Sequence, residues 1–459
     1  MKMLIIAALL LALPLVGFAQ QSQTRKLFPY QYTIDDFPNG MRLVTVPTDY
    51  PNLVSLYIVV AAGSRNEVEP GKSGFAHFFE HMMFRGSENF TPEQRERLFT
   101  QAGAETNAYT SDDRTVYHAT FSKEDLDEIM RAEADRFQRL KYTPEQFKTE
   151  SQAVLGEYNK NSANPFFKMH EVIRETAFKR HTYSHTTMGY LKDIQDMPNQ
   201  YDYSLQFFNR FYRPEYTTIM VVGDITRERA LDLTKRHWGG WKRGEYKTEI
   251  PPEPEQKEAR TAHIPWDAPT LPHLQIAYHA PAYDAASKDV AALDLFQSIV
   301  FGENSELYQQ LVLKEQKVDI FGAGFDHQVD PELFSIYARV KDPANVNYVR
   351  DLVLKTVERH QTELIDRSKL DATRSRMRYG FAMAMNSNSA IASSLAPYIA
   401  LRRTPETLNE LFDTYQQITP EDIRDAARKY FRAEGRTIVT LATKGQNLAS
   451  VRAGKEGRH

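Results

Sequence analysis

From Ser73 to Phe84 the chain reads Ser-Gly-Phe-Ala-His-Phe-Phe-Glu-His-Met-Met-Phe. His77 and His81 are four residues apart, so a helix here carries both imidazoles on one face, one above the other. Two nitrogens so placed can share one Zn²⁺ through bonds of about 2.0–2.1 Å. Glu80 stands beside them, where a carboxylate can take a proton from water. The order His-x-x-Glu-His is the reverse of the commoner His-Glu-x-x-His zinc helix. Interleaved Phe75, Phe78, Phe79, Met82, Met83 and Phe84 would bury the rest of the helix and hold the ligands still. The plainer alternative is a buried amphipathic helix with two incidental histidines. The histidines from His118 to His360 are read as surface or satisfied interior residues.

Composition narrows the chemistry further. A chain of 459 residues exceeds a single hydrophobic core and should form at least two domains. A net charge of −3 gives no argument for nucleic acid or an anionic membrane as partner. The absence of cysteine excludes disulfides, thiolate ligands and a cysteine nucleophile. Any metal must therefore use histidine and carboxylate, as hydrolytic sites do. Lys2, the apolar run Met3–Val16 and Gly17-Phe18-Ala19 before Gln20 have the pattern of a secretory signal peptide over residues 1–19. The run is short for a membrane span of about 20 residues. The expected mature chain begins near Gln20, in a periplasm or outside the cell, without stable membrane insertion.

The elements that must position the site follow from pattern. Tyr32–Phe37 and Met41–Val46 form a hairpin around Asn39-Gly40, and Leu53–Ala62 is a central strand. Thr91 and Pro92 open a helix, Thr106–Thr110 and Thr115–Phe121 pair as strands, and Lys123–Leu140 is helical. Pro144 opens a helix to about Asn161 that carries Glu150 and Glu157 on one face, two turns apart. A helix near Met169–Phe178, a strand Thr217–Val222 and a short helix to Trp238 complete this half. Glu249–Glu258, with three prolines, marks a linker. Beyond it strands at Leu274–Tyr278 and Leu333–Val340 alternate with helices at Asp289–Val300 and Val346–Leu364. Phe211-Tyr212-Arg213-Pro214 before Thr218 is echoed, 219 residues on, by Tyr430-Phe431-Arg432-Ala433 before Thr437. The expected fold is α+β, two homologous α/β units in one chain, each a sheet packed with helices. Residues 28–248 form the first, 249–262 the linker, 263–445 the second and 446–459 a tail. The counterpart of the histidine helix, Leu293–Ser298, has no histidine, so the chemistry sits in the first unit.

These residues together resemble the pitrilysin/insulinase family of inverted-zincin metallopeptidases, in the half-length branch that includes mitochondrial processing peptidase and bacterial zinc peptidases. The resemblance runs through Ala62–Glu67, Gly74–Gly86, Asn107-Ala108 with Thr115 and Tyr117, Glu150 with Glu157, Phe211–Pro214 and Gly223-Asp224. It implies that Glu157, 76 residues past His81, is the third zinc ligand and that Glu150 supports a ligand histidine. It implies that Asn107 and Ala108 lie on an edge strand where a peptide substrate is laid. Val312 and Asp319 fall where long members carry a substrate-holding arginine and tyrosine. That implies half of a clamshell, paired as a homodimer or with a homologous non-catalytic chain. The implied activity is a zinc metalloendopeptidase acting on unfolded peptides or small proteins, with Glu80 as base. The rival is a non-catalytic peptide-binding or assembly subunit on the same fold.

Overall fold

The computed structural model describes residues 26–446. The expected signal peptide, and the tail beyond residue 446, lie outside the described residues. Asn39 and Gly40 reverse the chain between β1 (Thr33–Asp36) and β2 (Arg42–Pro47), which pair antiparallel. Gly40 has a φ of 92°, the left-handed conformation that such a turn needs. β3 (Leu53–Val60) is buried at all but its first residue, as the near-continuous apolar run requires of an inner strand. With β4 (Glu105–Thr110), β5 (Thr115–Ser122) and β6 (Thr217–Gly223) these make a six-stranded sheet in the order β1-β2-β6-β3-β5-β4.

The second sheet contains β7 (Arg260–Trp266), β8 (His273–His279), β9 (Val318–Phe325), β10 (Leu333–Val340) and β11 (Arg436–Thr443), in the order β7-β11-β8-β10-β9. Among the described residues it repeats the first sheet strand for strand, without a counterpart of β1. Each sheet has one parallel pair, β2 with β6 and β7 with β11. Thr218 faces Arg42 in the first pair and Thr437 faces Arg260 in the second, so the sequence echo marks equivalent positions. The molecule is thus a mixed α/β structure of two related sheet-and-helix units. β11 was marked in the sequence only by its echo of β6, and β7 and β9, both sheet edges, went unread. β7 buries only Ile264 and begins at Arg260, inside the expected linker. β9 contains Gly322 and Gly324, weak strand formers.

The units also exchange helices. The helix Pro165–Ala177 belongs to the first half of the chain but buries Met169, Ile173 and Ala177 against Ile264, Ala277, Val439 and Leu441 of the second sheet. The helix Asn388–Arg402 belongs to the second half and buries Ile391, Leu395 and Ile399 against Val44, Val46, Tyr57, Val59 and Met220 of the first. Polar contacts follow the same exchange: Asn388 Nδ2 donates to Leu53 O at 2.9 Å, and Arg403 Nη2 donates to Thr217 O at 3.0 Å. No described helix is long and apolar enough to cross a membrane.

This exchange makes each half part of the other's core. Ile391→Ala, a change in the second half, should cost about 2–5 kcal/mol in urea denaturation. It should also speed amide hydrogen exchange in β3 and β6 of the first half. Unchanged protection in those strands would show that the halves are stabilised independently.

Candidate metal centre

The histidine helix, α1, spans Phe75–Met82 and lies with its apolar face in the first core. Gly74 begins it at a φ of 94°, and a Cβ there would stand 2.8 Å from Met188 O, so only glycine fits. Having no side chain, Gly74 cannot cap the helix. Glu67 does so from outside: Oε2 accepts the Gly74 N–H and Oε1 the Ala76 N–H, both at 2.7 Å. Burial pushes the Glu67 carboxyl up to about 8. The preceding turn is fixed by Ser73 Oγ, which donates to Asp193 Oδ2 at 2.6 Å.

The helix Pro144–Ser162 brings the carboxylates. Thr143 caps it reciprocally with Gln146, and Pro144 sets its first turn. It is pinned to α1 by Phe147 on Phe78, ring centroids 5.0 Å apart. Phe79, on the other flank of α1, stacks on Phe207 at 5.4 Å.

Between the two helices His77, His81 and Glu157 converge. Glu157 Oε2 lies 3.6 Å from His77 Nε2 and 3.3 Å from His81 Nε2. One ligand atom from each residue lies within 4.8 Å of the other two. A tetrahedral ion with bonds of about 2.1 Å separates its ligand atoms by about 3.4 Å, so the arrangement fits zinc. Burial, helped by His81, depresses the His77 imidazole to about 4 and keeps it neutral, the form that coordinates a metal. His81 Nδ1 stands 3.0 Å from Glu150 Oε1, an N–H···O contact that leaves Nε2 free to face the centre. That hydrogen bond raises His81 above the ordinary histidine value. Burial opposes ionisation of Glu150, but hydrogen bonds from His81 and Arg85 outweigh it and hold the carboxyl below its usual range.

Glu80 stands outside the triad. Its Oε2 accepts the Thr110 hydroxyl at 2.6 Å. Burial raises the Glu80 carboxyl, with Thr110 acting in the opposite direction. Asn107 and Ala108 lie on β4, the edge strand of the first sheet, and Asn107 Oδ1 accepts the Ala108 N–H at 2.9 Å. In the second half Val312 packs on the core and Asp319 pairs with Arg339 at 2.7 Å. His181 and His185, also four apart, flank a 3-10 turn instead of sharing a helix face. Glu67 and Thr110 had no assigned role in the sequence; their only signal was membership of the Ala62–Glu67 stretch and of the strand expected over Thr106–Thr110.

Residues 42–190 match the family model described as insulinase (peptidase family M16), and residues 200–377 the one described as peptidase M16 inactive domain. The zinc protease PqqE of Helicobacter pylori is 26% identical over 412 residues, covering 88% of this chain and 91% of that protein. The mitochondrial-processing peptidase subunit beta of Caenorhabditis elegans is 23% identical over 438 residues, 93% of each chain. The crystal structure of a protease from Helicobacter pylori superposes with a TM-score of 0.84 at 26% identity, over 90% of this chain and 99% of that one. The periplasmic protease PqqL of Escherichia coli shares the fold at a TM-score of 0.73 and 20% identity, with 90% of this chain matching 48% of that one.

The Glu67 cap yields a test. Glu67→Ala leaves the Gly74 and Ala76 amides buried without partners, at about 1–3 kcal/mol for each. Thermal denaturation should show that loss, and metal content should fall as α1 frays. An unchanged melting temperature would remove Glu67 from the support of this helix. The triad and Glu80 all fall within the first matched span, and the span named for an inactive domain, which includes β7 to β10, lacks the motif. The chain belongs to the insulinase family of peptidases, M16.

Proposed function

We propose that the chain is a zinc metalloendopeptidase that cuts extended peptides, with His77, His81 and Glu157 as ligands and Glu80 as general base. The observation that carries this reading is the convergence of three ligand atoms, Glu157 standing 3.3 and 3.6 Å from the two imidazoles, with Glu150 behind one of them and the carboxyl of Glu80 outside the ligand set. The names of the relatives, zinc protease and processing peptidase, support it.

Zinc held by the triad would act as a Lewis acid, polarising the scissile carbonyl and acidifying water. The protein's own groups do the rest. Glu80 accepts the proton of the attacking water and hands it to the leaving amine nitrogen. Its burial favours the protonated state between those two transfers. Glu150 holds the His81 ring in one tautomer. The bare side of β4 offers main-chain groups to a peptide laid alongside, which binds by backbone more than by side chain. A peptidase of this geometry selects for flexible, unfolded substrates.

Glu80→Gln keeps the size of the side chain and removes the proton acceptor. It should retain about one zinc per chain by elemental analysis and lose several orders of magnitude in hydrolysis of an oligopeptide. His77→Ala and Glu157→Ala should lose the metal. Near-wild-type turnover by Glu80→Gln, or full zinc in Glu157→Ala, would overturn the assignment. A wild-type chain that binds peptide and metal without turnover would be the non-catalytic subunit instead.

Two further parts of the reading concern assembly and place. The chain matches about half of PqqL, and a relative is named as a subunit, which supports pairing with a homologous chain, itself or another. The apolar run after Lys2 supports export. Protein recovered from the periplasmic fraction should begin at Gln20 by intact mass and scatter light as a two-chain assembly. A retained Met1, or a fully active monomer that no partner stimulates, would contradict these two points respectively.

A further inference from the structure

Among the described residues β4 is an edge strand with a neighbour on one side only, so its own sheet holds it from one side. Yet it carries Thr110, the side chain that hydrogen-bonds Glu80. What fixes it is the tip of the β4–β5 hairpin, Ser111–Arg114, which is gripped from both halves of the molecule.

The first half contributes a close backbone approach. The Ser64 and Arg65 N–H groups donate to Ser111 O and Asp112 O at 3.4 and 2.8 Å. A Cβ on Gly63 would lie 2.2 Å from Ser111 O, so a side chain there would push the tip away. Asp112 Oδ1 accepts the Ser64 hydroxyl at 2.8 Å and faces Arg174 Nη2 at 3.0 Å. Tyr183 donates its hydroxyl to Asp113 Oδ1 at 2.7 Å. The second half contributes the loop between β9 and β10. Val329 N–H donates to Asp113 Oδ2 at 2.7 Å, and Gln328 Nε2 donates to Asp112 Oδ2 at 3.4 Å. Both aspartates are buried, at 8% and 4% exposure. A tip so held cannot shift without leaving buried charges unpaired, which is costly.

Thr110 is the residue next to this tip, and its hydroxyl is 2.6 Å from Glu80 Oε2. A carboxylate that must meet a water proton within hydrogen-bond reach gains from one fixed rotamer. We propose that Thr110 is a positioning residue for Glu80, and that the second half sets its place through Asp112 and Asp113. The inference rests on Glu80 being the base.

The test uses the full chain in its native assembly, with zinc content, melting temperature and steady-state kinetics measured on each variant. Thr110→Val should lower kcat about 10²-fold, the scale expected of a misplaced catalytic group. KM should stay within about twofold and zinc unchanged, and Thr110→Ser should restore most of the rate. Asp113→Ala should lower kcat with zinc retained. The double variant should be no slower than Thr110→Val alone, because both changes act through one contact. If Asp113→Ala does not fold, Tyr183→Phe removes one hydroxyl of the same clasp and takes its place in the cycle. A wild-type kcat in Thr110→Val, a kcat loss that tracks zinc loss, or effects that multiply in the double variant would each overturn the proposal. Should Glu80→Gln hydrolyse as fast as wild type, the base assignment fails and this inference with it. A dead Glu80→Gln beside a normal Thr110→Val would defeat the positioning role alone.

Discussion

The contact between α1 and the Pro144–Ser162 helix is what the rest of the centre depends on. Two of the gathered groups come from one helix and the third from another, 76 residues later in the chain. His77 and Glu150 are 7% and 2% exposed, and burying such groups is unfavourable unless each finds a partner. The apolar faces of the helices must supply the difference. Phe75, Phe78, Phe79 and Phe147 are fully buried, each contributing about 1.5–3 kcal/mol relative to exposure. That is enough to hold two imidazoles and a carboxylate at 3.3–3.6 Å before any ion binds them. The aromatic residues between the histidines are therefore part of the site's construction.

How much of this was legible in the sequence depends on how local the signal is. His77, Glu80 and His81 are read from one helical turn, and β3, β6 and β10 from mostly apolar runs broken by few polar residues. Glu157 is different. Glutamates two turns apart on a helix are common, and only the family resemblance singled this one out. Glu67 and Thr110 act across 7–9 and 30 residues, so no spacing rule reaches them. β7 and β9 are edges, and an edge strand lacks the two-sided burial that makes a strand visible.

The helix exchange was the least legible feature. Asn388–Arg402 reads as an apolar stretch rich in alanine and serine, interrupted by Pro397. Nothing in it says that its partner is the sheet containing Val44 and Met220 instead of the nearer one. The same holds for Met169 and Ile173 of the earlier helix. Periodicity tells which residues are buried; it does not tell against what.

The exchange also bears on why the second unit persists without chemistry of its own. Removing it would strip Ile391, Leu395 and Ile399 from the first sheet, a loss on the order of 5 kcal/mol or more. That is comparable with the whole net stability of a typical domain. It would also release the hairpin tip from Gln328 and Val329, leaving Asp113 with a buried charge and fewer partners. Leu293–Ser298 contains no histidine, so no demand of coordination acts on it. The demands of packing stayed, because the first unit's core and the strand beside Glu80 are completed by residues of the second.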